Sequence, residues 1–374
     1  MMKKYRRNKI LKKNIKNRYK RKKIRINIYY IYLFKEVLGK LILIFSLCIL
    51  FLYLQIKGKF IKKIDIGINM DNNYIYPCIV YLTSLLHNRG KSTFYNIHIL
   101  TNNRTTKESM NKINKIIDKF GNNSADLKYY NVKVDFKGAS TKNFPLVAYY
   151  RLSLPSILPN IDKIIYTDID VINLEDLTEM YNIEFKDNIY FCGTLDIISM
   201  TRELKQFGIK ANKYINAGIM LINLKAMRNN GIERKILEFV SSHFLISADQ
   251  TAINAVCYEN IQILPYKYAI FANDLFKKLV KLNSQQNISY RFNESELSKA
   301  FNEPTFFHYY DGHKPWKKSY SQFNRVYWWY YAKMSGFYQE ILDFYKFNMS
   351  DIEELLKQIP EDGGLLKRNY KKLS

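Results

Sequence analysis

The sequence predicts an α/β domain with a layered, mostly parallel central sheet. Three observations lead there. Strand-like and helix-like segments alternate from residue 64 to residue 132. A later apolar run, Ile164, Ile165 and Tyr166, ends directly on two aspartates, Asp168 and Asp170. Polar residues also cluster just past the ends of strand-like runs, where open α/β sheets bind their ligands. The 374 residues have room for one large domain with extras or for two small ones, and the 47% hydrophobic fraction is enough for a substantial core.

The N-terminus differs from the rest. Residues 1–40 carry 16 Lys and Arg against one acid, Glu36, out of a total net charge of +26. Such a tail attracts nucleic acid or anionic lipid. Residues 41–54, LILIFSLCILFLYL, are apolar apart from Ser46. With Val37, Leu38 and Ile56 the run approaches the ~20 residues of a spanning helix. No small-residue cleavage site follows, so the pattern predicts a signal anchor over 41–56 rather than a cleaved signal peptide. The positive-inside rule then keeps the tail (1–40) cytosolic and puts the bulk of the chain across the membrane after a short stem, 57–63. This predicts a single-pass type II protein, in a Golgi-like secretory lumen if the host is eukaryotic-like and otherwise membrane-associated. The position of the tail before the anchor favours anionic lipid or retention machinery over nucleic acid as its partner. Four cysteines are too few for a disulfide framework. Sequons occur at Asn103, Asn122, Asn287, Asn293 and Asn348.

Residues 64–69 read as the first strand, followed by a polar turn with Asp71 and Asn73. A helix follows over 74–89, with Pro77 tolerated in its first turn. Residues 96–100 give a second strand. Thr105 and Glu108 have the spacing of a capping box, and Gly121 closes the helix they open. Residues 127–132 give a third strand. A short helix near 149–159 carries Arg151. In the strand ending at 168–170, residues two apart point to one face, ~6–7 Å apart along the chain. Two short carboxylates there suit one hard divalent cation that keeps room for substrate phosphates.

Residues 189–195 form another strand, ending at Asp196, and 214–224 are apolar around Asn216 and Asn223. Ala217 and Gly218 are small enough for the backbone to approach a neighbour. Asp249 and Gln250 open a helix to about 259, where an acid is commonly an N-cap. Residues 274–300 read as a polar surface excursion, 306–308 as a last short strand, and 327–347 as an aromatic helical extension. No Gly-x-Gly-x-x-Gly and no Walker loop is present, so neither the dinucleotide fingerprint nor a P-loop ATPase is supported.

In order, DIGINMDNNY (65–74), YYRLSLP (149–155), YTDIDV (166–171), FCGTLD (191–196), YINAGIMLINL (214–224), ADQTAIN (248–254) and HYYDGHKPW (308–316) resemble glycosyltransferase family 8. These are retaining sugar transferases that include bacterial lipopolysaccharide galactosyl- and glucosyltransferases. The resemblance implies a GT-A type nucleotide-sugar fold, a UDP-sugar donor, and Mn²⁺ or Mg²⁺. It implies that Asn69, Asp71 and Asn73 face the uridine and that Arg151 is the donor-side arginine. Asp168, Asp170 and His308 would hold the metal. Asp196, Asn216, Asp249 and Gln250 would handle the sugar, and Gly312 and Lys314 would touch the diphosphate. The sequence departs from the family pattern twice. Asp311 stands where a Gly is common, three residues after the His, with Gly312 following. Thr251 stands where an acid often follows Asp-Gln.

The expected activity is transfer of a hexose, galactose or glucose, from UDP to a glycan, glycolipid or glycoprotein acceptor, with no nucleic-acid partner. Gln250 is a poor nucleophile whose carbonyl oxygen can support a cationic sugar, so same-face attack is expected over double displacement. A carbohydrate-binding or inactive relative is one alternative. A haloacid-dehalogenase-type phosphatase is another, but the later Gly-Asp-x-x-x-Asp that it needs is absent.

Overall fold

The computed structural model describes residues 2–59, 61–121, 123–139, 144–196, 206–209, 213–271, 294–309, 312, 314–320 and 324–359. It divides into two compact units, 1–61 and 62–374. Asn122, Asn287, Asn293, Asp311 and most of the 274–300 excursion lie outside the described residues, although its end forms the helix Glu294–Asn302.

The first unit is one helix, α1 (Met2–Lys59). Among the described residues, no helix is long and apolar enough to cross a membrane. The signal anchor expected over 41–56 is therefore not supported, nor is the membrane orientation built on it. The apolar run 41–54 extends only about 21 Å at the helical rise, short of the ~30 Å hydrocarbon core. Lys35, Glu36 and Lys40 precede it in the same helix.

The second unit is built on a seven-stranded sheet. Its strands are β1 (Lys62–Asn69), β2 (Thr93–Thr101), β3 (Ala125–Asn131), β4 (Lys163–Thr167), β6 (Phe191–Leu195), β7 (Ile215–Asn223) and β8 (Ile261–Ile263), in the order β3-β2-β1-β4-β7-β6-β8. A separate two-stranded ribbon pairs β5 (Val171–Asn173) with β9 (Phe306–His308). Pairings β1–β2, β1–β4, β2–β3 and β6–β8 are parallel, whereas β7 runs antiparallel to both β4 and β6. The predicted mixed, mostly parallel α/β sheet is borne out. The antiparallel entry of β7 sets Gly218 beside the end of β4, where the Asp168 N–H donates to the Gly218 carbonyl at 2.6 Å.

Helix α2 (Ile75–His87) is buried at every residue from Ile75 to Leu86. A helix apolar on all sides needs cover on all sides. The sheet lies on one side, where Thr167 Oγ1 donates to the Tyr81 hydroxyl at 2.7 Å, and α4 (Arg325–Met334) on another, with Asn88 Nδ2 donating to the Tyr331 hydroxyl at 2.7 Å. Between them in sequence lies α3 (Lys107–Phe120). Its cap is Thr106, whose hydroxyl accepts from Ser109 N–H at 3.2 Å. Thr105 instead bonds Thr101, so the expected Thr105–Glu108 capping box does not form. Gly121 closes the helix as expected, at φ +85°.

The aromatic extension is two helices, α4 and α5 (Tyr338–Tyr345), broken at Ser335 and Gly336, where Gly336 takes φ +85°. Trp328 and Trp329 are fully buried, and Trp329 Nε1 donates to the Pro315 carbonyl at 3.2 Å. Arg325 Nε donates to the same carbonyl at 3.1 Å. The extension thus packs into the sheet-bearing unit and holds the loop that carries Lys314. Trp329→Ala should lower stability by about 3–5 kcal/mol in urea denaturation. A loss below about 1 kcal/mol would mean that α4 is not integral to this unit.

Candidate active site

The site forms where β4 ends, β7 begins and the β5–β9 ribbon closes over them. Asp168 and Asp170 leave β4. His308 arrives from far along the chain because Val171 pairs with it across the ribbon. Two backbone bonds fix this meeting: His308 N–H to Ile270 C=O and Tyr309 N–H to Asp170 C=O, both 2.9 Å. One ligand atom from each of Asp168, Asp170 and His308 lies within 4.8 Å of the others. His308 Nε2 is 3.5 Å from Asp170 Oδ1 and 3.9 Å from Asp168 Oδ2.

Three observations test whether a divalent cation fits. The donor set is two carboxylates and an imidazole, suited to Mn²⁺. Asp170 Oδ1 is buried and has no hydrogen-bond partner among the described residues. Gly218 leaves the space around the ligands open, since a Cβ there would lie 2.3 Å from His308 Cε1 and 2.9 Å from Asp168 Oδ2. The cation fits. The expectation that the small residues 217–218 admit a close neighbour is met, and the neighbour is the ligand cluster itself.

Lys314 sits on this cluster. Its ammonium contacts Asp170 Oδ2 and the Tyr309 carbonyl. Burial alone would raise Asp170, but Lys314 and His308 hold it below the usual carboxylate range. The diphosphate role expected for Lys314 thus begins from an ion pair with a carboxylate of the candidate metal cluster.

Arg151, 8% exposed, joins this cluster to the next. It donates to Asp168 Oδ1 at 2.8 Å, contacts the Ala217 carbonyl, and lies 2.9 Å from Asp249 Oδ2. Burial raises Asp168 above the usual value against the pull of Arg151. Burial pushes Asp249 up to about 6, again with Arg151 opposing. Asp249 is inside the helix Ala248–Val256, whose cap residue is Ser247, so the N-cap reading of Asp249 fails.

Asp196 and Asn216, both buried, meet Gln250. Gln250 Nε2 donates to Asp196 Oδ2 at 2.7 Å, and Asn216 Nδ2 donates to the same oxygen at 3.3 Å. Gln250 Oε1 accepts from Ala217 N–H at 3.0 Å. The carbonyl expected to face the sugar is therefore already tied to backbone through one lone pair.

Asp71 and Asn73 line a cavity of about 610 Å³ beyond the ends of β1, β2 and β3. Asp71 also caps its own turn by accepting from Asn73 N–H at 2.9 Å. Asn69 is 8% exposed and donates to the Val147 carbonyl at 2.8 Å, so it braces the cavity's Val147 wall. Sequence reasoning missed Arg104, Asn131, Lys133 and Tyr150 in this lining. The polar end of β3 was the available signal. Among the described residues, nothing lies within 4 Å of the position a Cβ would take at Gly312. A separate cavity of about 620 Å³, bounded by Phe136, Pro155, Glu233 and Leu237, includes none of the expected residues and is set aside as the site for that reason.

A sequence model described as Glycosyl transferase family 8 matches residues 65–319. General stress protein A of Bacillus subtilis (strain 168) is 27% identical over 179 residues, 46% of this chain and 59% of that protein. The lipopolysaccharide 1,2-glucosyltransferase of Escherichia coli is 24% identical over 266 residues, 68% of this chain and 74% of that protein. Among solved structures, the galactosyltransferase LgtC in complex with donor and acceptor sugar analogues superposes with a TM-score of 0.60 at 18% identity. That match covers 73% of this chain and 95% of LgtC, and it shows the shared fold alone.

Two outcomes follow from the geometry. Gly218→Ala should abolish Mn²⁺ binding measured by electron paramagnetic resonance while costing about 1–3 kcal/mol of stability; retained Mn²⁺ affinity contradicts the packing described. Lys314→Met should tighten Mn²⁺ binding without donor and weaken UDP binding measured by calorimetry. Weaker binding of both would place Lys314 among structural supports instead.

Proposed function

The chain belongs to glycosyltransferase family 8, and from that membership we propose a metal-dependent retaining transferase that moves galactose or glucose from a UDP-sugar to a glycan or glycolipid acceptor. The observation that carries this reading is the convergence of Asp168, Asp170 and His308 within 4.8 Å around the opening left by Gly218. A bound Mn²⁺ or Mg²⁺ there would supply Lewis-acid charge to the diphosphate leaving group. Similarity to a lipopolysaccharide 1,2-glucosyltransferase and a lipopolysaccharide 1,3-galactosyltransferase supports the hexose class. The family assignment replaces the phosphatase alternative, and the assembled ligand set favours an enzyme over an inactive relative.

The protein's own groups divide the remaining work. Asp71 and Asn73, lining the cavity beyond β1 to β3, would take the uridine. Lys314 would leave Asp170 for the phosphates and add to their neutralisation. Asp196, Asn216 and Asp249 would hold sugar hydroxyls. For retention we favour same-face attack. The bond from the anomeric carbon to the phosphate oxygen breaks, the bond to the acceptor oxygen forms on that face, and the acceptor's proton passes to the departing phosphate. The contacts support this over a covalent intermediate. Asp196 already accepts from Gln250 and Asn216, and Asp249 lies against Arg151. Trapping a glycosyl adduct on Asp196 or Asp249 that turns over would replace this mechanism with double displacement.

The test is UDP release by the full chain from UDP-galactose, UDP-glucose, UDP-xylose and UDP-N-acetylglucosamine, with Mn²⁺ or with EDTA. One hexose donor should release UDP with Mn²⁺, and EDTA or Asp170→Asn should stop it. Folded protein that binds UDP but releases none from any donor would support a binding protein instead.

A further inference from the structure

Tyr166 lies on β4 (Lys163–Thr167), two residues before Asp168, which follows directly after the strand's end. Its ring is fully buried. Its hydroxyl donates to Asp168 Oδ1 at 3.0 Å. The Arg151 guanidinium carbon lies 4.4 Å from its ring centroid, within cation–π range. Arg151 in turn donates to the same oxygen, Asp168 Oδ1, at 2.8 Å.

All of these contacts fall on one side of the Asp168 carboxylate. Oδ1 takes two hydrogen bonds, while Oδ2 is the oxygen that faces His308 Nε2 at 3.9 Å. A free carboxylate rotates and offers either oxygen. This one is held from behind by a phenol and by a guanidinium that rests on that phenol's ring. We propose that Tyr166 is a positioning residue that aims Asp168: its hydroxyl fixes Oδ1 directly, and its ring supports the Arg151 group that fixes the same oxygen. Oδ2 is thereby presented to the divalent cation. The proposal rests on the metal-site reading above. Residues that orient metal ligands in this way are worth about 10–100-fold in metal affinity.

The experiment is Mn²⁺ titration of the full chain by electron paramagnetic resonance, without donor, for wild type, Tyr166→Phe, Tyr81→Phe and Asp170→Asn. Phe keeps the ring under Arg151 and removes only the hydroxyl. Tyr81 is the control for losing a buried hydroxyl near the same strand, because its hydroxyl accepts from Thr167 Oγ1 at 2.7 Å and, among the described residues, bonds none of Asp168, Asp170 and His308. Tyr166→Phe should weaken Mn²⁺ binding about 10–100-fold with an unchanged melting temperature, while Tyr81→Phe binds as wild type. Wild-type affinity in Tyr166→Phe, with binding lost in Asp170→Asn, overturns the role of Tyr166 and leaves the metal site standing. Equal weakening by Tyr81→Phe also overturns it, since that outcome marks general loosening of β4. No Mn²⁺ binding by wild type overturns both the proposal and the metal-site reading.

Discussion

The site depends on one short backbone pairing, Val171–Asn173 against Phe306–His308. Without it, His308 has no reason to stand beside Asp168 and Asp170. The ribbon is braced from both sides. Asn88, just past α2, donates to the Asn173 carbonyl at 2.9 Å, and His308 N–H bonds the Ile270 carbonyl. The cluster is also limited sterically by Gly218, because β7 runs antiparallel to β4 and brings its backbone against the ligands. Position and clearance are thus set by main chain, and the side chains inherit both.

Among the described residues, charge in this region is balanced by very few groups. Arg151 touches Asp168 and Asp249, while Lys314 touches Asp170. Buried carboxylates without such partners take up protons or destabilise the fold. The Ala217 peptide links the two halves of the site: its carbonyl meets Arg151 and its N–H meets Gln250. A shift of β7 at Ala217 would therefore reach both the cluster of Asp168, Asp170 and His308, through Arg151, and the cluster of Asp196, Asn216 and Gln250.

Much of this was legible in the sequence, for identifiable reasons. Strands β1, β4 and β9 announce themselves by apolar runs that end on polar residues, and β9 was placed at 306–308 as observed. The ordered motifs pointed to Asp168, Asp170 and His308, which the fold brings within 4.8 Å of one another. Sequence did not reveal what depends on three-dimensional register. The Gln250 carbonyl is occupied by a peptide N–H from β7, and Lys314 pairs with Asp170 rather than standing free. Local competition misled the reading elsewhere. Thr106 won the cap of α3 because Thr105 bonds Thr101, and Gly336 at positive φ split the expected C-terminal helix. By composition alone, the apolar run 41–54 reads as a spanning segment. The length of that run and its charged flank count against spanning.

The central claim is that Asp168, Asp170 and His308 form one divalent-cation centre. Anomalous diffraction at the manganese edge, from crystals of the full chain grown with UDP and Mn²⁺, tests it most directly. The account predicts a manganese peak in contact with Asp168 Oδ2, Asp170 and His308 Nε2, beside the UDP phosphates. Ordered UDP with no manganese at these three residues, or manganese bound elsewhere, would contradict it.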